Sequence, residues 1–296
     1  MRVLVTGVSG RVGTAVAREF LEHGYEVRGT DKTPLPEDLR GRVEMQYADV
    51  TDRMAMLRAA EGCDSIVHLA AIPNPGRMDD VLFNINVVGT QYVLDAAMAH
   101  GIKRVALASS CCAFGFVFPT HQVDPQYFPV DENHPDLPQD LYGLSKVLNE
   151  QTAAAYSRRT GMTTISLRLT LVIKLDGEHV HWRRRHLMNN HERRSPEFWS
   201  YIDVRDTARA FRLAVEAPVE GSHKIIISAR DAFTPYNVPD LIRRHYPTLA
   251  EFADTSGPHD TPYNLSRAEE LIGFVAEHSW RNMPELADVV NEIDSK

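Results

Sequence analysis

The N-terminal segment places three glycines directly after an apolar, β-branched run. Residues 2–6 (RVLVT) predict a strand, and residues 11–23 space their apolar side chains at helical intervals. Gly7, Gly10 and Gly13 lie in the turn between them and at the start of the helix. Glycines allow a tight turn and let a pyrophosphate approach bare backbone, and a helix N-terminus attracts the anion. The segment therefore predicts a dinucleotide-binding strand–turn–helix unit.

The alternation of strand and helix patterns continues through the first half of the chain. Strands are predicted at 25–30, 42–48, 64–70, 103–109 and 163–170, helices at 52–60, at about 78–99 and from Tyr142, and an extended loop between Phe118 and Pro138. Apolar strands that alternate with helices indicate a parallel sheet covered on both faces. We therefore predict an α/β fold with a Rossmann-type doubly wound parallel sheet.

Beyond Thr170 the alternation loosens, although a helix at 204–217 and a strand at 223–228 are still predicted. We expect residues 1–170 to form the NAD-binding Rossmann domain. Residues 171–296 are expected to form mainly a small, interwoven C-terminal substrate-binding part, with some elements returning to the Rossmann core.

Composition limits the classes of partner. A formal net charge of −8 disfavours nucleic acid. Cys63, Cys111 and Cys112 form neither a disulfide framework nor a zinc motif, so we expect reduced thiols and no metal. No apolar run is long enough to span a membrane, and the N-terminal apolar run breaks at glycine too early for a signal peptide. The expected location is the cytoplasm.

An acid at the end of the second predicted strand bears on the choice of cofactor. Asp31 is placed to bind the adenosine ribose 2′-hydroxyl and to repel a 2′-phosphate, which favours NAD. The adjacent Lys32 carries a positive charge that would weaken the preference for NAD over NADP, so NADP stays an alternative cofactor.

The stretch LYGLSK (141–146) places Tyr142 and Lys146 on one face of a helix. A free phenol has a pKa of about 10 and is a poor base at neutral pH. A nearby ammonium and an oxidised nicotinamide both favour the phenolate, which predicts Tyr142 as a general base with Lys146 as its partner. The alternative is an ordinary helix-surface pair.

Further stretches, in consistent order over about residues 1–215, resemble motifs of the extended short-chain dehydrogenase/reductase family, the NAD-dependent epimerase/dehydratase group. They are ADVTD (48–52), VHLAA (67–71), NVVGT (86–90), ASSCCAFG (108–115), YGLSK (142–146) and WSYIDVRD (199–206). The resemblance implies an NAD(P)-dependent enzyme with catalytic Ser110 (rather than Ser109), Tyr142 and Lys146. The cofactor-binding residues it implies are Gly7, Ser9, Gly10, Arg11, Val12, Gly13, Asp31, Lys32, Asp49, Val50, Leu69, Ala70, Ala71, Asn86, Tyr142 and Lys146.

Two residues named by the motifs have alternative interpretations. One interpretation of Asn86 is structural, as a helix N-cap or as a partner in an internal polar hydrogen bond. The other, which the family implies, is that Asn86 supports the backbone or a water molecule of the active site. His68, on an apolar strand, is interpreted as a core histidine with its hydrogen bonds satisfied rather than as a catalytic one.

The segment around Ser110 and the stretch LYGLSK are similar to the uronate dehydrogenase branch of the family. In that branch an arginine five residues before a tryptophan binds the substrate carboxylate, which indicates Arg194 before Trp199. The substrate-contacting residues expected on this basis are Ile72, Pro73, Cys111, Cys112 and Arg194. Cys111 replaces that branch's asparagine, and Thr170 and Leu171 replace its Gly-Ser.

The resemblance implies hydride transfer between NAD and a sugar, sugar acid or related hydroxy compound. Alternatives are a nucleotide-sugar epimerase or dehydratase with tightly bound NAD, or a non-catalytic dinucleotide-binding sensor. The epimerase pattern R-Y-F-N is replaced by Arg168-Leu169-Thr170-Leu171.

The arginine- and histidine-rich segment 179–194 is interpreted either as a cover for an anionic substrate or as a surface loop or subunit contact. A metal site at His179 and His181 is possible on spacing but is disfavoured. By analogy with the family, a homodimer is expected through the helices of about 78–99 and 142–159.

Overall fold

The structure is a computed structural model that describes residues 1–76, 79–175 and 194–286. The strands are β1 Arg2–Thr6, β2 Glu26–Asp31, β3 Glu44–Tyr47, β4 Ser65–His68, β5 Arg104–Ser110, β6 Thr163–Leu169, β7 Leu171–Ile173, β8 Tyr201–Asp203 and β9 Ser222–Ile227. Seven of them form a parallel sheet in the order β3-β2-β1-β4-β5-β6-β9, and β7 pairs with β8 in a small parallel ladder.

Helices cover both faces of this sheet. They are α1 Arg11–Glu22, α2 Arg53–Ala60, α3 Asp79–Phe83, α4 Gly89–Ala99, α5 Leu141–Thr160, α6 Val204–Glu216, α7 Val238–His245, α8 Ala250–Ala253 and α9 Ser266–Ile272. Apolar residues of α1 and α6 pack on one face, and those of α2, α4 and α5 pack on the other. The predicted doubly wound parallel sheet is confirmed.

The predicted continuous helix at 78–99 differs from the structure. A π-helical turn, Asn84–Val88, separates α3 from α4, and Gly89 donates its backbone N–H to the Asn84 carbonyl. Thr90 donates its hydroxyl to the Asn86 carbonyl at 2.6 Å. A π turn holds one residue more than an α turn and often lies at a functional site. Here it coincides with the complete burial of the Asn86 side chain.

The second half of the chain completes the central sheet. β9 pairs in parallel with β6, from Thr164 opposite Ser222 to Leu169 opposite Ile227. A separate cluster of aromatic and aliphatic residues, including Phe198, Trp199 and Tyr246, packs beside the sheet. Within the described ranges, no helix is long and apolar enough to cross a bilayer. The division at residue 170 stays a prediction.

A buried arginine ties β6 to the elements around it. Arg168 is fully buried, and its guanidinium donates to Glu150 of α5 at 2.8 and 2.6 Å and to Asp136 of the proline-containing loop at 2.9 Å. Ser109 of β5 donates its hydroxyl to the same Glu150 carboxylate at 2.5 Å. Burial acts to raise the pKa of Asp136, but Arg168 holds it below its ordinary value. A buried charge requires such partners.

We predict that Arg168→Met lowers the free energy of unfolding by about 3–5 kcal/mol, because it leaves the buried Glu150 carboxylate without its cation and leaves Asp136 only its pair with Lys224. Urea unfolding followed by circular dichroism measures the change. Arg2→Met is the control, because Arg2 lies on a strand but its partner Glu26 is largely exposed. A screened pair of this kind contributes little to stability. Equal effects of the two substitutions would contradict a stabilising role for the buried network.

Candidate active site

The carboxyl ends of the central strands open onto one cavity of about 460 Å³. Because the strands are parallel, the residues that follow them all reach this edge of the sheet. The predicted site residues that line the cavity are Gly7, Gly10, Arg11, Val12, Gly13, Leu69, Ala71, Pro73, Ser110, Cys111, Cys112, Tyr142 and Lys146. The glycine turn and the Ser-Tyr-Lys group therefore share one continuous space.

The glycine turn has no room for side chains. Gly7 has φ of 68°, and a Cβ there would lie 2.8 Å from the Ala70 backbone nitrogen. A Cβ on Gly13 would lie 2.1 Å from the Gly7 carbonyl oxygen. Gly10 is the N-cap of α1, no side chain caps this end of the helix, and its first turn contains no acid. The free N–H groups at the positive end of a helix dipole fit a pyrophosphate.

Asp31 lies beside this turn, at the end of β2. Its carboxylate accepts hydrogen bonds from the Ser9 backbone N–H and from the backbone and hydroxyl of Thr33, each at 3.0 Å. These three donors hold the carboxylate in a defined orientation. An acid in this position fits the adenosine ribose of a dinucleotide.

The neighbouring Lys32 is engaged elsewhere. Its Nζ atom lies 3.0 Å from the Asp49 carboxylate. Burial acts to raise the pKa of Asp49, whereas the Thr51 backbone N–H and Lys32 lower it, and the net shift is downward. Val50 packs against α4, where a Cβ on Gly89 would lie 2.8 Å from its Cγ1 atom. Ser9, Asp31, Lys32, Asp49 and Val50 lie outside the cavity lining.

The start of α5 positions the tyrosine and the lysine. The Asp140 side chain caps the helix by accepting from the Gly143 N–H at 2.8 Å. A Cβ on Gly143 would lie 2.6 Å from the Cys112 carbonyl oxygen, so the helix packs directly against the turn after β5. Tyr142 and Lys146 are both buried and both face the cavity. The Lys146 Nζ atom donates to the Ala108 carbonyl at 2.8 Å and lies 5.4 Å from the centroid of the Tyr142 ring.

The two functional side chains of α5 have pKa values that burial shifts in opposite directions. Burial raises the pKa of the Tyr142 phenol, Cys112 acts in the same direction, and a hydrogen bond with Ser110 opposes them. Burial also lowers the pKa of Lys146 to about 8. Burial is thus the main influence of the chain on the Tyr142 pKa, and the prediction that the ammonium and an oxidised nicotinamide together favour the phenolate stays a prediction.

Asn86 and His68 are buried next to the cavity and hydrogen-bond the segments that form it. Asn86 accepts from the Ile72 N–H at 2.8 Å and donates to the Ile72 carbonyl and to the Ser145 hydroxyl. It therefore joins the loop after β4 to α5 and is not a helix cap. His68 is hydrogen-bonded to the Thr6 and Thr90 hydroxyls, and burial lowers its pKa to about 3. The interpretation of His68 as a satisfied core histidine is confirmed.

Only some of the residues expected to contact substrate lie in the cavity lining. Pro73, Cys111 and Cys112 line the cavity, whereas Ile72 packs behind it against Cys112 and Tyr142. Burial raises the pKa of Cys112 to about 12, so its thiol is neutral.

Arg194 lies outside the cavity lining. Its guanidinium bonds Asp124 at 2.5 Å and lies 4.0 Å from the centroid of the Tyr246 ring. The rest of the basic segment, residues 179–193, lies outside the described residues, as do His179 and His181.

Sequence reasoning missed Glu197 and Tyr263, which also line the cavity. Burial raises the pKa of Glu197 to about 7. The signal for Glu197 was an acid placed between Pro196 and Phe198, directly before the WSYIDVRD stretch. Tyr263 lies far along the chain from every motif, so no local pattern indicates it.

Comparison with known proteins identifies the family. A family model described as the NAD dependent epimerase/dehydratase family matches residues 3–229. The chain belongs to this family. Members are NAD-dependent enzymes of the short-chain dehydrogenase/reductase type, and NAD is the cofactor that the glycine turn and Asp31 fit.

Individual members of the epimerase/dehydratase family are similar over different lengths. An NAD-dependent glucose-6-phosphate dehydrogenase from Haloferax volcanii is 29% identical over 253 residues, covering 82% of this chain and 87% of the relative. A uronate dehydrogenase from Pseudomonas syringae pv. tomato is 30% identical over 168 residues, which cover 57% of this chain and 58% of the relative. Among solved structures, a crystal structure of a short-chain dehydrogenase/reductase superfamily protein from Agrobacterium tumefaciens with bound NAD is similar, with a TM-score of 0.72 and 25% sequence identity. The match covers 100% of this chain and 98% of that protein.

We predict that Asp31→Ser weakens NADH binding and strengthens NADPH binding, because it removes both the acceptor for a ribose hydroxyl and the charge that repels a 2′-phosphate. The ratio of the two dissociation constants, measured by fluorescence titration, should shift by about tenfold or more, as expected for the loss of a charge-assisted hydrogen bond. Asp38→Ser, an exposed position paired with Arg18, is the control. An unchanged ratio in the Asp31 variant would remove this residue from cofactor recognition.

Proposed function

We propose that the protein is an NAD-dependent oxidoreductase that transfers a hydride between the nicotinamide and a carbon of a sugar, sugar acid or related hydroxy compound. The observation that carries the proposal is the placement of Ser110, Tyr142 and Lys146 in the same cavity as the glycine turn. A phenol and a hydroxyl that face a dinucleotide site can bind and deprotonate an alcohol as its carbon is oxidised.

Each member of the group has a distinct proposed role. Tyr142 accepts the proton of the substrate hydroxyl, and Ser110 holds that oxygen by a hydrogen bond. Lys146 is anchored on the Ala108 carbonyl, and it bonds the nicotinamide ribose and places a positive charge near the phenol. NAD, when bound, supplies the hydride acceptor and a second positive charge that favours the phenolate.

Residues outside this group are proposed to hold the cofactor and shape the site. Asn86 keeps the loop after β4 at the edge of the cavity through its two bonds to Ile72. Arg11 and Val12 line the cavity beside the glycine turn, where a dinucleotide phosphate fits. The proposed homodimer and cytoplasmic location follow from the family and from the composition.

A nucleotide-sugar epimerase or dehydratase is the competing function within the family. Thr170 and Leu171 line the cavity where the epimerase pattern has Phe and Asn, so the asparagine that would contact a nucleotide sugar is missing. A dehydrogenase accumulates NADH, whereas an epimerase reoxidises its cofactor without net reduction. The appearance of NADH absorbance with free sugars or sugar acids therefore distinguishes them, and its absence with every such substrate would favour the epimerase.

We predict that Tyr142→Phe lowers kcat for substrate oxidation by about 10²–10⁴, the usual contribution of a general base. Tyr156→Phe is the matched control, because Tyr156 lies on the same helix but its hydroxyl bonds Asp95 instead. Burial raises the pKa of the Tyr142 phenol, so the wild-type oxidation rate should increase with pH as the phenolate forms. Undiminished turnover in the Tyr142 variant would show that another group is the base.

We also predict a homodimer through α4 and α5. Leu144, Val147 and Leu148 lie on α5 at spacings that share one face, and each is only partly buried in the single chain. Light scattering should give twice the chain mass of 33.3 kDa. Leu148→Arg should shift the mass towards the monomer, whereas Arg158→Gln at the exposed end of the helix should not. A wild-type monomer at micromolar concentration would refute this assembly.

A further inference from the structure

A carboxyl group that the Ser-Tyr-Lys mechanism does not use faces the same cavity. Glu197 lies among its lining residues, together with Cys112, Tyr142 and Tyr263. Its backbone carbonyl accepts a hydrogen bond from the Ser200 N–H at 3.0 Å. Over residues 1–76, 79–175 and 194–286, no hydrogen bond or ion pair involves its side chain.

This arrangement is unfavourable for the chain alone. Transfer of a carboxylate out of water without partners carries a large free-energy penalty, which the group reduces by taking up a proton. Burial accordingly raises the pKa of Glu197 to about 7, with no compensating donor. Buried arginines elsewhere in the described structure, such as Arg168, are paired with carboxylates. An unpaired acid in a cavity indicates a group whose partners come from a ligand.

The cations of the cavity do not pair with Glu197. Arg11 and Lys146 are the cationic residues in the described lining. Lys146 donates to the Ala108 carbonyl at 2.8 Å, and Arg11 donates to the Val172 carbonyl at 3.4 Å. The groups coupled electrostatically to Glu197 are the Cys112 thiol and the Tyr263 phenol, and burial keeps both neutral.

We propose that Glu197 contacts the substrate, accepts hydrogen bonds from hydroxyl groups of a neutral polyhydroxy compound, and disfavours analogues that carry a carboxylate or a phosphate. This inference rests on the oxidoreductase function proposed above and narrows its substrate class.

The chemistry of the two substrate classes differs at this carboxylate. A sugar hydroxyl supplies the hydrogen-bond donor that Glu197 lacks among the described residues. A hydrogen bond to a charged acceptor is stronger than one between neutral groups. An anionic substituent supplies no donor and repels the carboxylate in a site of low dielectric. Arg194, the cation expected from the uronate dehydrogenase pattern, is bonded to Asp124 outside the cavity lining and so does not offset this repulsion.

The proposal includes a pH dependence with a defined sign. Hydroxyl donors stabilise the ionised form of Glu197, so a neutral sugar binds more tightly above the pKa near 7 and more weakly as the pH falls below it. The other titratable groups in the described lining are Cys111, Cys112, Tyr142 and Tyr263, whose pKa values burial raises, Lys146, whose pKa burial lowers to about 8, and the cation Arg11. Lys146 titrates in wild type and variant alike, so the difference between their profiles reports Glu197.

The test compares matched sugars that differ by one group. D-galactose and D-galacturonate form one pair, and D-glucose and D-glucuronate form the other, each assayed for NADH formation with wild type, Glu197→Gln and Glu197→Ala. Glu270→Gln, an exposed acid on α9, is the control. Thermal unfolding and NADH affinity are measured for every variant, so that a folding defect is detected separately from a loss of recognition.

Wild type should favour the neutral member of a pair in kcat/KM. Both Glu197 variants should reduce this neutral-to-acid ratio by about tenfold or more and should make the change in KM between pH 6 and pH 8 smaller than in wild type, because a charge-assisted hydrogen bond is lost. The Glu270 variant should keep the wild-type ratio.

The outcomes separate the inference from the function on which it rests. A wild-type preference for the acid, or a ratio that neither Glu197 variant changes, overturns the inference and leaves the oxidoreductase function standing. If wild type oxidises none of the four sugars, the proposed function fails and the inference falls with it.

Discussion

The geometry of the catalytic helix depends on the buried guanidinium of Arg168. Because this charge is sealed from solvent, it requires carboxylate partners, and one of them, Glu150, lies on α5. Glu150 follows Lys146 by four residues, and Lys146 follows Tyr142 by four, so all three lie along one face of the helix. The ionic contact with β6 therefore fixes the rotation of α5 that turns the phenol and the ammonium towards the cavity.

The same contact links the catalytic helix to the strand that carries the serine. Ser109 donates its hydroxyl to Glu150, whereas the hydroxyl of the adjacent Ser110 accepts from the Cys112 N–H and acts to lower the pKa of the Tyr142 phenol. Successive side chains of a strand point to opposite faces. Of the two neighbouring serines, Ser109 therefore bonds the helix, and Ser110 is the one that we propose to hold the substrate oxygen.

Local spacing explains which parts of the site could be predicted from the sequence. The tight turn at Gly7 and the four-residue spacing of Tyr142 and Lys146 are properties of adjacent residues, so the chain pattern alone indicates them. The partners of Arg168 and the π turn at Asn86 depend on contacts between distant segments. The effect of burial on the pKa of Tyr142 could not be predicted from the sequence for the same reason, because burial is a property of the assembled fold.

The ionisable groups near the substrate end of the cavity are shifted by one common cause. Burial raises the pKa of Tyr142 and of Glu197 and lowers the pKa of Lys146, so in each case it makes the charged form less favourable than it is in water. Among the described residues Glu197 has no side-chain hydrogen-bond donor, and Ser110 opposes the rise in the pKa of Tyr142 without reversing it. Ligands must therefore provide the compensation, with a cationic ring beside the phenol and hydroxyl donors at the carboxylate. Cofactor binding is therefore expected to change the basicity of the Tyr142 phenol, and substrate binding is expected to depend on hydroxyl donors that reach Glu197.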